Sequence, residues 1–104
     1  MYTLTVLYYR VDDETTLEEF FSGVHLPLLE ALPGLRVVEI GRVMGQPLGQ
    51  SRFTLAVTAG FDDQAALTAA LATETGITLM NALRPWAENR LIAWYYADSF
   101  REER

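Results

Sequence analysis

The chain has one histidine, His25, and no cysteine. The side chains that most often move protons or bind metals near neutral pH therefore reduce to a single imidazole. Thiolate zinc sites, cysteine nucleophiles and disulfides are excluded, as is a two-histidine metal site within one chain. No G-x-S-x-G turn supports a serine nucleophile, and Gly41, Gly45 and Gly49 lack the following helix and lysine of a phosphate loop. His25 lies four residues after Phe21 and four before Leu29, on the flank of an apolar helical stripe that faces a gap between helix and sheet. Two residues further on, Pro27 removes a helical hydrogen bond, and its ring presses on the carbonyl of Gly23, where the missing side chain eases a bend. An imidazole beside a freed carbonyl can serve as a general acid or base. The same spacing also describes a half-buried histidine that anchors the helix through a backbone hydrogen bond.

The aromatic residues Tyr8, Tyr9, Trp94, Tyr95 and Tyr96 fall near the ends of the first and last strands, which are expected to be central in the sheet. Hydroxyl and indole donors there can line a pocket, or the rings can pack a core or a dimer interface. Tyr8, Phe21, Trp94 and Tyr95 are the expected ligand-contacting set around His25. Glu39, Arg36, Arg42 and Arg52 are expected to pair with one another across a hairpin rather than to hold an anion. A net charge of -6, with 14 acidic residues against 8 basic ones, argues against nucleic acid as a partner, since phosphate binding needs clustered positive charge.

These residues must be positioned by strands and helices, which the periodicity supplies. Residues 2–10 alternate in β-branched, aromatic and aliphatic side chains and read as a strand. Thr15 and Glu18 make a T-x-x-E capping box, and Leu17, Phe20, Phe21, Val24 and Leu28 follow helical spacing, so a helix is expected from about 16 to 31, stopped by Pro33-Gly34. Residues 35–44 and 52–61 read as a hairpin joined by a Gly-rich connection. Asp62 or Asp63 caps an Ala-rich helix that Gly76 interrupts; helical spacing resumes through Ile77, Met80 and Leu83 to Pro85. Residues 91–97 form a last strand.

The order βαββαβ is the ferredoxin-like arrangement of the α+β class, a four-stranded antiparallel sheet with both helices on one side. Leu7, Tyr9, Ile92, Trp94 and Tyr96 are expected on one sheet face and Leu4, Val6, Leu91 and Tyr95 on the other, so both faces need cover. A second subunit's sheet supplies it, and half of the residues being hydrophobic in a chain of 104 also favours burial against a partner. The length suits one domain, residues 1–104. The start lacks the features of a signal peptide and no apolar run is long enough to span a membrane, so a cytoplasmic protein without membrane contact is expected.

Within this frame, Phe20-Phe21-Ser22-Gly23-Val24-His25-Leu26-Pro27-Leu28 resembles the signature helix of the EthD family, in which aromatics precede a His-x-Pro-Leu. The likeness continues through Leu32-Pro33-Gly34-Leu35-Arg36 and through Phe61-Asp62-Asp63 into the Ala-rich helix. It implies a dimeric α/β barrel, two ferredoxin-like subunits packed sheet to sheet. The group of such barrels includes cofactor-free monooxygenases, isomerases and haem-binding members. Two departures stand out: Phe20 and Phe21 replace tyrosines often found before the histidine, and Asn81-Ala82-Leu83-Arg84-Pro85-Trp86 lacks an acidic residue expected in many relatives.

The functional expectation is a homodimer that binds or transforms a small apolar or aromatic metabolite without a cofactor or metal. His25 would be its acid or base, and Tyr8 with Tyr95 or Trp94 would orient the substrate. The alternative is a non-catalytic binding or accessory protein using the same apolar pocket. Haem ligation by His25 is a third, weaker reading.

Overall fold

A computed structural model describes all 104 residues. Strand β1 (Tyr2–Tyr9) leads into helix α1 (Glu14–Phe20), a π-helical turn (Phe21–His25) and helix α2 (Leu26–Glu30). Strands β2 (Val37–Arg42) and β3 (Phe53–Phe61) follow, then helices α3 (Gln64–Leu71) and α4 (Glu74–Glu88) and strand β4 (Ile92–Asp98). The strands form one antiparallel sheet in the order β2-β3-β1-β4. This is the ferredoxin-like α+β fold with an open four-stranded sheet. The molecule is 20 Å thick against 39 × 38 Å across, the thickness of one sheet and one helical layer. No helix is long and apolar enough to cross a membrane.

Side chains alternate along a strand, so one face of the sheet collects Leu4, Val6 and Tyr8 from β1 and Leu55, Val57, Ala59 and Phe61 from β3, all buried. Leu17, Phe21 and Leu29 of the first helical stretch and Leu67, Leu79 and Leu83 of the second complete the same core. Cross-strand register corrects the expected division of faces. Leu4 pairs with Tyr96, Val6 with Trp94 and Tyr8 with Ile92, so Ile92, Trp94 and Tyr96 belong to the helix-covered face. Leu7 and Tyr9 share the open face with Ala93 and Tyr95 instead. Alternation within each strand is correct, but which face of one strand meets which face of the other depends on register, and alternation carries no information about it. A second correction concerns β4, which lies at the sheet's edge beside β1, whereas β1 and β3 are central.

Helix boundaries follow the caps actually made. The Thr15–Glu18 box does not form. The Asp13 side chain accepts from the Thr16 N–H at 3.1 Å, which starts α1 two residues earlier than expected. Glu18 is drawn to Arg42, a residue of the helix-facing side of β2. Arg36 pairs with Asp62 through two guanidinium nitrogens. Arg36 and Arg42 therefore pair with Asp62 and Glu18 rather than with Glu39 across the hairpin, and Arg52 and Glu39 form no ion pair. Pro33-Gly34 ends α2 as expected, with Gly34 at φ 79°.

The second helical stretch breaks at Ala72-Thr73, not at Gly76. Thr73 caps α4 by accepting from the Gly76 N–H at 3.1 Å, and α4 continues through Pro85 to Glu88. Gly76 is required for a different reason. A β-carbon there would collide with the Ala70 carbonyl oxygen and lie 2.5 Å from Leu71 Cα, so the end of α3 can approach only a glycine. Gly23, by contrast, has open space around its α-carbon. Its missing side chain is therefore not what permits the bend. Gly76→Ala is expected to lower stability by about 1–3 kcal/mol, the range for overpacking. Gly23→Ala should leave stability unchanged or raise it by up to about 1 kcal/mol. Thermal unfolding of the two variants side by side checks both.

Candidate functional site

Tyr8 sits on the central strand β1 at a helix-facing position, and His25 closes the π-helical turn above it. In that turn the Leu26 N–H reaches back to the Phe21 carbonyl, five residues earlier. Pro27 has no N–H for the Gly23 carbonyl, so an α-helical ladder is interrupted at this point in any case, and the widened turn accommodates the break. The proline bend expected from sequence is thus a π-helical insertion, a feature common at functional sites.

The Tyr8 hydroxyl and His25 Nδ1 are 2.6 Å apart. Both residues are buried, with 0% of Tyr8 and 1% of His25 exposed. Each polar group satisfies the other, and no buried side-chain nitrogen or oxygen is left unpartnered. The hydroxyl proton finds an acceptor only if Tyr8 donates to Nδ1, which places the ring proton on Nε2. Phe21 stands edge-on to His25 at 5.7 Å between ring centres, and Trp86 edge-on to Tyr8 at 5.6 Å. Phe20 stacks on Trp86 at 4.6 Å. Burial pulls the His25 pKa down to about 4 and pushes that of Tyr8 well up, so at neutral pH the pair holds an uncharged imidazole and an uncharged phenol.

The expected ligand-contacting residues divide between two places. Tyr8 and Phe21 join His25 in the core. Trp94 and Tyr95 lie further along the sheet, where they line a cavity of about 220 Å³ together with Leu4, Met80 and Tyr96. Trp94 pairs with Val6 and Tyr96 with Leu4, so the cavity lies two to four residues along β1 from Tyr8, roughly 7 to 13 Å at the usual rise per residue. A second cavity of about 100 Å³, between Tyr2, Tyr96 and α3, adjoins the Tyr96 side. His25 lines neither of these, as a haem ligand would need to, and no three His, Asp or Glu side chains are grouped as a metal requires.

The sequence does not mark Trp86, Met80 and Leu4 as pocket residues, whereas Tyr96 is among the aromatic residues able to line one. Trp86 follows Pro85, which reads as the end of a helix, yet the spacing Leu79, Leu83, Trp86 continues the apolar stripe and is the signal that would have found it.

No family model matches the chain, and no curated protein is similar to it. Solved structures are similar to it. An EthD family protein from Bacillus halodurans superposes with a TM-score of 0.87 at 28% identity, covering 96% of this chain and 99% of that one. The EthD resemblance carried by the His25 segment therefore extends over nearly the whole chain. A dabb family protein with a ferredoxin-like fold from Mesorhizobium loti, 16% identical, gives 0.67 with 96% and 97% covered. A dimeric ferredoxin-like protein of unknown function from Jannaschia, 18% identical, gives 0.63 with 95% and 100% covered. The last two share the fold alone.

Because the His25 pKa is lower in the folded chain than the ordinary 6.5, the unfolded chain binds the extra proton between these values. The contribution of His25 to stability is complete above pH 6.5 and is lost as the pH falls towards 4. The full loss is about 3 kcal/mol, from the size of the shift. His25→Gln, which cannot titrate, is expected to lack this component. Urea unfolding of both proteins from pH 7 to pH 4.5 checks it, and a constant difference between them across that range would contradict it.

Proposed function

We propose that this protein binds a small, largely apolar or aromatic compound in the cavity between α4 and β4, acting as a homodimer joined through the open faces of its sheets. The cavity itself carries the reading. Its walls are Leu4, Met80, Trp94, Tyr95 and Tyr96, and no charged side chain lines it. An apolar cavity of about 150 Å³ holds a benzene-sized guest, so about 220 Å³ suits a one- or two-ring compound. Aromatic walls with hydroxyl and indole groups at their edges suit a flat guest that also carries an oxygen.

The dimer is supported by the open sheet face. Leu7, Tyr9, Ala56, Ala93 and Tyr95 stand there with Thr3, Thr5 and Thr58, and the Thr5 and Thr58 hydroxyls bond each other at 3.0 Å rather than requiring water. Large apolar faces of this kind mark interfaces. The similar protein from Jannaschia is described as dimeric. Sheet-to-sheet packing of two copies makes the dimeric α/β barrel that the EthD resemblance implies, with Tyr95 bordering both the interface and the cavity.

Turnover is the second reading, favoured by the 2.6 Å contact between Tyr8 and His25. In it His25 is the acid or base, with Tyr8, Phe21, Trp94 and Tyr95 around the substrate. A group with a pKa of about 4 is a weak base at neutral pH, and His25 lies away from the main cavity, so binding ranks first.

Indole is a suitable probe of the cavity by isothermal titration calorimetry. Trp94→Ala is expected to weaken indole binding at least about tenfold, the equivalent of about 1.4 kcal/mol. His25→Gln should leave binding within about threefold, since Gln preserves an acceptor for Tyr8. The opposite pattern would move the site to the His25 side. Light scattering should give twice the 11.7 kDa of one chain, reduced to a single chain by Leu7→Asp in the open face.

A further inference from the structure

Tyr96 is the one side chain shared by both cavities. On one side lies the aromatic cavity of Leu4, Met80 and Trp94. On the other lies the smaller space bounded by Tyr2, Leu67 and Leu71, with Gln64 and Thr68 at its rim. The Tyr96 ring stacks on Tyr2 at 6.0 Å between centres with the planes 27° apart, yet about half of Tyr96 is exposed, on an edge strand. A side chain so placed changes rotamer quickly and loses little burial in doing so.

We propose that Tyr96 is a movable partition within one longer site, and that this site takes a neutral, flat aromatic compound bearing a hydroxyl or amide at its far end. The inference rests on the binding reading above and adds its ligand class. With Tyr96 swung outward from Tyr2, the smaller space extends the larger by nearly half its volume. The two halves differ in chemistry. The first is entirely apolar or aromatic in lining, whereas Gln64 and Thr68 give the second an amide and a hydroxyl, able both to donate and to accept. Neutrality follows from the charges around it. No cation lines either half, while Asp62 and Asp63 directly precede Gln64 in sequence and Asp98 is paired across the sheet with Tyr2. Arg36 is paired with Asp62, and the Met1 ammonium donates to the Ser99 carbonyl at 2.8 Å; neither lines the site. A carboxylate or phosphate would enter without a cationic partner in the lining.

Calorimetry with indole, 5-hydroxyindole, indole-5-carboxylate and the longer 4-hydroxybiphenyl tests this. Wild-type protein is expected to bind 5-hydroxyindole at least about fivefold more tightly than indole, within the range of one hydrogen bond, and Thr68→Val with Gln64→Leu should remove that gain. Indole-5-carboxylate should bind more weakly than indole. Tyr96→Ala should raise the affinity for 4-hydroxybiphenyl relative to that for indole at least about fivefold, because no population must first swing aside. Tyr96, Gln64 and Thr68 are all exposed, so these variants should fold. Indole binding with no hydroxyl preference, with a preference for the carboxylate, or with no response to Tyr96→Ala would overturn this inference and leave the binding reading standing. Failure of every probe, indole included, would overturn both.

Discussion

The hydrogen bond between the Tyr8 hydroxyl and His25 Nδ1 is the constraint around which the helix side of the molecule is built. Two polar groups in an apolar core each cost stability if left alone, and here each is the other's only partner. The bond ties the central strand to the π-helical turn at the point where Pro27 breaks the α-helical ladder. The irregular turn is thus held from below by the sheet, and the aromatic rings of Phe21, Trp86 and Phe20 enclose the contact. Protonation of the imidazole would replace the accepting lone pair with a second donor and leave the tyrosine proton unpaired. Burial and hydrogen-bond geometry therefore both favour the neutral ring.

A sealed pair at one end of the helix-sheet interface leaves ligand chemistry to the other end. Edge strand β4 carries Trp94 and Tyr96 where helical cover thins, and the space between them and Met80 stays open. The arrangement separates rigidity from access. At the His25 end the Tyr8 hydroxyl and Nδ1 satisfy each other, and the β4 end offers aromatic walls. The His-x-Pro-Leu segment anchors the first helical stretch to the central strand.

Much of the fold was legible because alternation and helical spacing are local properties. Leu4, Val6 and Tyr8 share a face, as do Leu55, Val57 and Phe61, and Leu17, Phe21 and Leu29 lie on one helical stripe, as their spacing requires. His25 was also legible as a core-facing residue beside a break. What could not be read depended on partners distant in sequence. Register between β1 and β4 decided that Trp94, and not Tyr95, shares a face with Val6. Thr15 and Glu18 made no capping box because Asp13 caps α1 earlier, and Glu18 meets Arg42, folded in from β2. Pro85 did not end its helix because the stripe through Trp86 packs onto Tyr8 and Phe20. The candidate site was split for the same reason: Tyr8 and Phe21 were placed correctly beside His25, while Trp94 and Tyr95 belong to a cavity that only the folded sheet creates.

Nitrogen NMR of the imidazole tests the central claim most directly, since the chain's only histidine needs no assignment. At neutral pH Nδ1 is expected to be the unprotonated acceptor with the proton on Nε2, and the ring should remain neutral until the pH is lowered to about 4. A proton on Nδ1 at neutral pH, or titration at the ordinary 6.5, would contradict a sealed tyrosine–histidine pair.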